Sequence, residues 1–403
     1  MTGSPAADTP TSRPVWDRLA DGRVALPALA WSVLAAVHVA IQYLFSHDGR
    51  SLAGVWTRVD ASAYLSIASE GYSYAPTDAY PLVAWFPLYP MSIRALTEVV
   101  GDPVLAAVLV SGACGLAATV LFWNWMACTW LDRSQRVLSL AVALLYAYGW
   151  FIFGVIYSDA MFVCLAVLAF LLVERHHPVW ALAVTGLATA VRPTGPALVL
   201  GVVLLVAERA GSVRIDDSAT GWRQRFGVPT RVEPSRLPRA LLAVPLAVIG
   251  AVAYSAYLGA RYSEPLLWLR VQEHWSQGPS AGPESWFKVH MLAILIKEHD
   301  PAFIATAVPQ TLLVIAGIVA VPFLGRRFGW GYAVYAAASL AIVAIGANEM
   351  VGAGRYLMGV FPYAALLGAY LASRRGLATA WLTVSSVALV VHMALFAGGA
   401  YLT

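Results

Sequence analysis

Eleven apolar runs constrain the fold of this 403-residue chain more than any motif in it; they lie near residues 24–45, 103–131, 137–156, 158–174, 179–191, 195–208, 240–260, 301–324, 330–347, 356–373 and 377–397. About 20 consecutive apolar residues make a helix as long as the hydrocarbon core of a bilayer is thick. Inside that core every backbone N–H and C=O must bond within its own helix or a closed barrel, so runs of this kind become membrane-spanning helices. Composition agrees. Apolar residues make up 60% of the chain and charged residues 12%, roughly half the ~25% carried by soluble domains. The expected architecture is an all-α polytopic membrane protein of about eleven spans, with one membrane-embedded domain over 24–397 between tails at 1–23 and 398–403.

Two of the runs, 179–191 and 195–208, are short and meet at Arg192-Pro193-Thr194-Gly195, where Pro and Gly break a helix. Two short helices or a re-entrant hairpin would both return the chain to the side it left. With the N-terminus inside, cytoplasmic segments hold 17 of the 26 Lys and Arg and 9 of the 22 Asp and Glu, a net +8 against −4 outside. This is the split the positive-inside rule requires. Residues 1–23 mix Asp and Arg and precede no short apolar core with a small-residue cleavage site, so the first run is expected to stay as a span. Multi-pass insertion in the cell membrane follows. Outer loops cover 47–102 and 261–300. The one long cytoplasmic loop, 209–239, carries seven arginines and reads as a solvated basic segment against anionic lipid. A formal charge of +4 is too small for a nucleic-acid binder, and Cys114, Cys128 and Cys164 all sit in apolar runs, which leaves none for an exported disulfide.

The unusual residues collect on the expected outer side. The segment from Trp56 to Gly71 predicts a helix with Trp56, Asp60, Tyr64, Ile67 and Ala68 on one stripe and Gly71 as its stop. The stripe is apolar apart from one carboxylate, and burying a carboxylate is costly unless something binds it. Either an external arginine, such as Arg58, pairs with Asp60, or the group is there to react. Two prolines in Trp85-Phe86-Pro87-Leu88-Tyr89-Pro90 argue against a regular helix and predict a kinked aromatic wall, which an interfacial aromatic belt would also explain. Charged groups recur at the outer ends of spans in Tyr157-Ser158-Asp159, Arg192-Pro193-Thr194 and Gly354-Arg355-Tyr356. An ionisable group at membrane depth is a site candidate by default. Arg192 and Arg355 could present forked donors to a phosphate, or simply snorkel to the interface. Arg270, Gln272, His274 and Trp275 in the second outer loop could add donors and a stacking ring. The histidines are scattered, so ligand spacing does not indicate a metal.

The run Arg58-x-Asp60 with Tyr64-Leu65, Ile67-Ala68 and Gly71-Tyr72, followed by Trp85-Phe86-Pro87-Leu88-Tyr89-Pro90, resembles the PIG-V-like mannosyltransferases, including their bacterial members. Tyr157-Ser158-Asp159-Ala160-Met161-Phe162, Ala190-Val191-Arg192-Pro193-Thr194-Gly195, Gln272-x-x-Trp275 and Gly354-Arg355-Tyr356-Leu357 with Phe361-Pro362 follow in that family's order, across roughly residues 50–375. The sequence departs from the family at Val59, where Trp is usual, at Asp159, where Glu is commoner, and in a longer link over 76–84. The resemblance implies a GT-C fold and an extracytoplasmic active site. It also implies a mannosyl-phospho-polyprenol donor and an acceptor hydroxyl on a glycolipid or glycan. Asp60 matches the family's catalytic base. Arg192 and Arg355, with Arg270 and His274 behind them, are expected at the donor phosphate. Arg58, Tyr64, Trp85, Phe86, Tyr89, Tyr157, Asp159, Gln272 and Trp275 are expected around the sugar. The reaction needs no cofactor; a divalent metal is compatible with it but not indicated. The rival reading is a transporter or flippase of lipid-linked sugars, which would favour polar sites at the bilayer midplane on broken helices.

Overall fold

The computed structural model describes residues 22–46, 52–214, 220–272, 286–294, 296, 301–346, 350 and 352–400. Every long element is a helix; among the described residues the only strands are the paired two-residue segments Val213–Arg214 and Arg231–Val232. The helices that position the candidate site are α1 (Ala25–Phe45), α2 (Asp60–Glu70), α3 (Leu88–Val100), α4 (Pro103–Cys128), α5 (Arg133–Leu144), α6 (Asp159–Glu174) and α7 (Pro178–Thr189). They continue with α8 (Gly195–Arg209), α9 (Ile249–Tyr262), α10 (Pro301–Phe328), α11 (Trp330–Gly346), α12 (Ala353–Gly359), α13 (Pro362–Leu371) and α14 (Arg375–Gly398). Among the described residues five helical stretches are long and apolar enough to cross a membrane: Ala25–Phe45, Pro103–Cys128, Arg239–Tyr262, Phe303–Phe328 and Arg375–Gly398. Tyr43, Leu44, Leu312 and Val384 are among the large apolar side chains these stretches leave exposed, as lipid-facing helices would.

Four expectations need correction. The run 137–156 does not continue as one helix. It stops at Leu144, and residues 145–158 form an irregular, largely buried segment with one 3₁₀ turn at Gly149–Ile152. Gly154 takes φ +96°, which turns the chain out of the helical path. Non-helical backbone at such depth is tolerated where protein satisfies its polar groups. Here Trp31 donates to the Ile152 carbonyl (3.0 Å) and Ser385 to the Leu145 carbonyl (2.7 Å). The run 356–373 likewise divides into α12 and α13, with Pro362 opening the second helix and Tyr335 donating to the Gly359 carbonyl left at the break (2.7 Å).

The helix expected from Trp56 to Gly71 is also interrupted. A short helix, Leu52–Trp56, ends before Val59, whose φ of +57° is strained for a β-branched residue. The stripe therefore begins at Asp60, the first residue of α2; Gly71 does stop the helix, its N–H bonding the Ile67 carbonyl. Finally, Leu88-Tyr89-Pro90 is helical. Pro90 falls in the first turn of α3, where an N–H would have no partner in any case. The short runs 179–191 and 195–208 become two helices, α7 and α8, packed on each other across the link 190–194.

Small residues let the central helices meet closely. A Cβ on Gly201 of α8 would lie 2.5 Å from the Tyr335 Cβ of α11, and one on Gly331 would lie 2.5 Å from the Leu205 Cβ. Such approach substitutes backbone packing for the hydrophobic drive that lipid does not supply. At one end of α6 and α8 sits a polar cluster in which Glu174 binds Arg209 (2.7 Å) and Tyr332 (2.8 Å), while Glu208 accepts from the Trp330 and Gly331 amides. The candidate site lies at the opposite end, about 24 Å away along the 16 residues of α6.

Candidate functional site

Four charged side chains from four separate elements converge at that end. Asp159 opens α6, where the helix N-terminus favours a negative charge. Arg192 comes from the link between α7 and α8, held against α3 by the bond from the Leu88 amide to the Ala190 carbonyl (2.9 Å). Arg355 comes from α12 and Asp60 from the start of α2. Arg192 donates through Nη1 to Asp159 Oδ1. Arg355 Nη1 donates to Asp60 Oδ2 at 3.1 Å, and its Nε lies 4.0 Å from Asp159 Oδ1. The order is Asp60, Arg355, Asp159, Arg192: alternating charges, neutral in sum. Asp159 is 3% exposed and the two arginines 9% and 11%, whereas Asp60 is 19% exposed. Of the four, Asp60 is therefore the one most open to solvent.

Aromatic rings seat the guanidinium groups. Arg192 lies over Tyr356 (4.9 Å to the centroid), and Arg355 over Tyr157 (5.2 Å), Phe151 (5.5 Å) and Tyr356 (5.8 Å). Such faces attract a cation electrostatically and are stronger where water is excluded. The irregular segment 145–158 thus has a purpose in the fold: it delivers Phe151 and Tyr157 under Arg355 and Ser158 to Tyr64, whose hydroxyl donates to Ser158 Oγ at 2.7 Å. One donor is left over. The buried Nε–H of Arg355 makes no hydrogen bond among the described residues, since 4.0 Å to Asp159 is too long. A crevice runs inward from here between α6, α8, α11 and α12, lined by Asp159, Phe162, Arg192, Thr194, Tyr335, Ser339, Arg355 and Tyr356.

Asp60, Tyr64, Tyr157, Asp159, Arg192 and Arg355 are thus brought together. The others are not. Arg58 donates to the Phe396 and Gly399 carbonyls (3.2 and 2.5 Å) and closes the C-terminal end of α14 instead of facing the pairs. Phe86 is 2% exposed and packs on Tyr254 and Trp268; Tyr89 is fully buried, with its hydroxyl on Ser111 (2.6 Å) and its ring edge-on to Tyr64. Trp85 is half-buried, and its carbonyl accepts from Tyr72 (2.7 Å). Their role in the fold is packing. Arg270 pairs with Glu264 (2.6 Å) and reaches Tyr74 (3.2 Å), and Gln272 bonds the Trp268 carbonyl one turn back. His274 and Trp275 lie outside the described residues.

Two participants went unnoticed in the sequence. Tyr356 stood beside Arg355 in its motif, so the signal was available, whereas Phe151 carried none, lying in a run that looks like plain apolar helix. An open groove of about 380 Å³ lies near the site, lined by Tyr72, Pro87, Met91, Arg94, Ala190, Tyr254 and Tyr257. Among the described residues no three His, Cys, Asp or Glu side chains gather as a metal site would need.

An all-helical protein with, among the described residues, five membrane-length apolar helices and a buried arginine–aspartate cluster is the class these observations define. Comparison with family models, with curated proteins and with solved structures yields no match.

Proposed function

We propose that the chain is a GT-C-type membrane glycosyltransferase of the PIG-V-like kind. It would move a mannosyl group, with inversion, from a polyprenyl-phosphate donor to an acceptor hydroxyl on the extracytoplasmic face. The observation that carries the reading is the charge chain itself: a carboxylate at the exposed end of two buried guanidinium groups, one of which keeps an unspent donor.

Each residue then has a role. Asp60 accepts the proton of the acceptor hydroxyl as its oxygen attacks the sugar C1, a contribution of typically 10²–10⁴-fold. The bond from C1 to the phosphate oxygen breaks, and its electron pair stays on the leaving polyprenyl phosphate. Arg192 and Arg355, already fixed by Asp159, stabilise that charge without reorganising. Arg355 also donates to Asp60, which ties the base to the phosphate-binding pair. The groove lined by Tyr72, Tyr254 and Tyr257 includes Ala190, two residues from Arg192 in sequence, and its largely apolar walls suit a polyprenyl chain.

A transporter of lipid-linked sugars is the second reading, favoured by the unwound segment 145–158 and the break between α12 and α13. The two are separated by supplying radiolabelled mannosyl-phospho-polyprenol with membrane lipid as acceptor to the protein reconstituted in vesicles. An enzyme yields labelled acceptor and free polyprenyl phosphate. A transporter moves the label across the bilayer with the donor intact, and that result would overturn the assignment.

A further inference from the structure

The link between α8 and α9 is folded, and it is fastened to the edge of the bundle. Val213 and Arg214 pair antiparallel with Val232 and Arg231, and Ser212 donates to the Arg236 carbonyl at 2.6 Å. The short helix Trp222–Phe226 lies between the strands. Phe226 packs edge-on against Phe323 of α10 (5.4 Å), and Trp330 at the start of α11 donates to the Gly227 carbonyl (2.7 Å). These anchors set the arm at the end of the bundle that carries Glu174 and Arg209, beside the first residues of the membrane-length stretch Arg239–Tyr262.

What the arm exposes is one-sided in charge. Arg214, Arg223, Arg225, Arg231, Arg236 and Arg239 are all exposed. The single acid among its described residues, Glu233, is engaged by Arg236 (2.5 Å) and Arg231 (4.0 Å). Apolar side chains stand among these cations: Trp222 is 61% and Leu237 48% exposed, and the Arg223 guanidinium lies over the Trp222 ring (5.7 Å). Trp222 and Leu237 thus stand exposed among the cations, not apart from them. Aromatic rings and arginines together suit the level of lipid headgroups, where the ring enters the interface and the cations meet phosphate.

We propose that residues 220–239 dock on the adjacent leaflet by binding anionic phospholipid headgroups, with Arg223, Arg225 and Arg239 as the headgroup ligands and Trp222 as the wedge. The inference is independent of the transfer reaction. Its partner follows from charge complementarity and from the arm's position at the ends of membrane-length helices. Anionic surfaces attract each nearby arginine additively, and salt screens the attraction.

The test is hydrogen exchange of the backbone amides in 220–239, with the full chain in nanodiscs of phosphatidylcholine alone or with about 30% phosphatidylglycerol. The α6 amides serve as an internal reference for folding. The expected result is exchange slowed about tenfold in the anionic discs, the protection being lost at high salt and in the variant R223Q/R225Q/R239Q. Equal exchange in both lipids would overturn the proposal, as would protection that survives the triple substitution. Protection reproduced in neutral discs by soluble inorganic phosphate would also overturn it, by making the arm a site for free anions and not for the membrane.

Discussion

At the residue scale, the four charges divide their labour by exposure. Asp159 lies between both arginines and is sealed from solvent, so its loss leaves Arg192 a buried cation without a carboxylate, next to Arg355. Breaking a buried pair by removing one partner costs about 3–5 kcal/mol. Asp159→Asn should accordingly lower the thermal midpoint in detergent, whereas Asp60→Asn, at the exposed end, should leave it almost unchanged. Equal midpoints for the two variants would contradict this division. Arg355→Lys keeps the charge but not the fork that spans Asp60 and Asp159. Transfer by that variant should fall by about 10²–10³, the cost of losing one stabilising donor, while donor-free stability changes less than in Asp159→Asn. The convergence of Asp60, Asp159, Arg192 and Arg355 was legible in the sequence because three of them sit at span ends and Asp60 in the first outer loop, all on one expected face. Arg58 and Arg270 were misread for a physical reason. Their partners, the Phe396 and Gly399 carbonyls in one case and Glu264 with Tyr74 in the other, are settled by loop paths and distant helix ends that a local pattern does not encode.

At the scale of elements, irregular backbone and close crossings do the positioning. The segment 145–158 was read as helix because aromatic and apolar residues dominate it, and hydrophobicity reports burial without reporting backbone path. Gly149 and Gly154 were the only local hint. Val59 and Pro90 misled in opposite directions. A β-branched residue that favours extended structure hides a left-handed turn, and a proline pair that forbids a helix interior permits a helix start. The crossing of α8 and α11 gives a direct check. Gly201→Val would drive a side chain into Tyr335 and the Gly331 carbonyl, which lies 2.8 Å from the added Cβ. Overpacking of this kind costs typically about 1–3 kcal/mol, so the variant should show a lower thermal midpoint and reduced folded yield on size exclusion. Gly376→Ala, with no atom within 4 Å of its Cβ, should behave as wild type. A tolerated Gly201→Val would mean the helices do not cross so closely.

For the whole molecule, charge is segregated between two ends. One carries the arginine–aspartate chain; the other carries the Glu174–Arg209 cluster and the arginine arm. If, as the positive-inside rule would have it, the second end faces the cytoplasm, the proposed chemistry would lie outside, where a lipid-borne donor would be needed in place of a soluble nucleotide sugar. In a background with the three native cysteines replaced, a cysteine at exposed Ser69 should react with an impermeant maleimide on intact cells, and one at exposed Ser235 only after lysis. The reverse labelling would invert the topology and remove the extracytoplasmic site.

The claim on which the account turns is that Asp60 takes the acceptor's proton. The measurement is mannosyl transfer from radiolabelled mannosyl-phospho-polyprenol by purified wild type and Asp60→Asn, with donor binding followed separately. Asn preserves the shape and cannot accept the proton. The account predicts transfer by the wild type and a loss of about 10²–10⁴-fold in the variant, with donor still bound. Transfer by Asp60→Asn at the wild-type rate would contradict it.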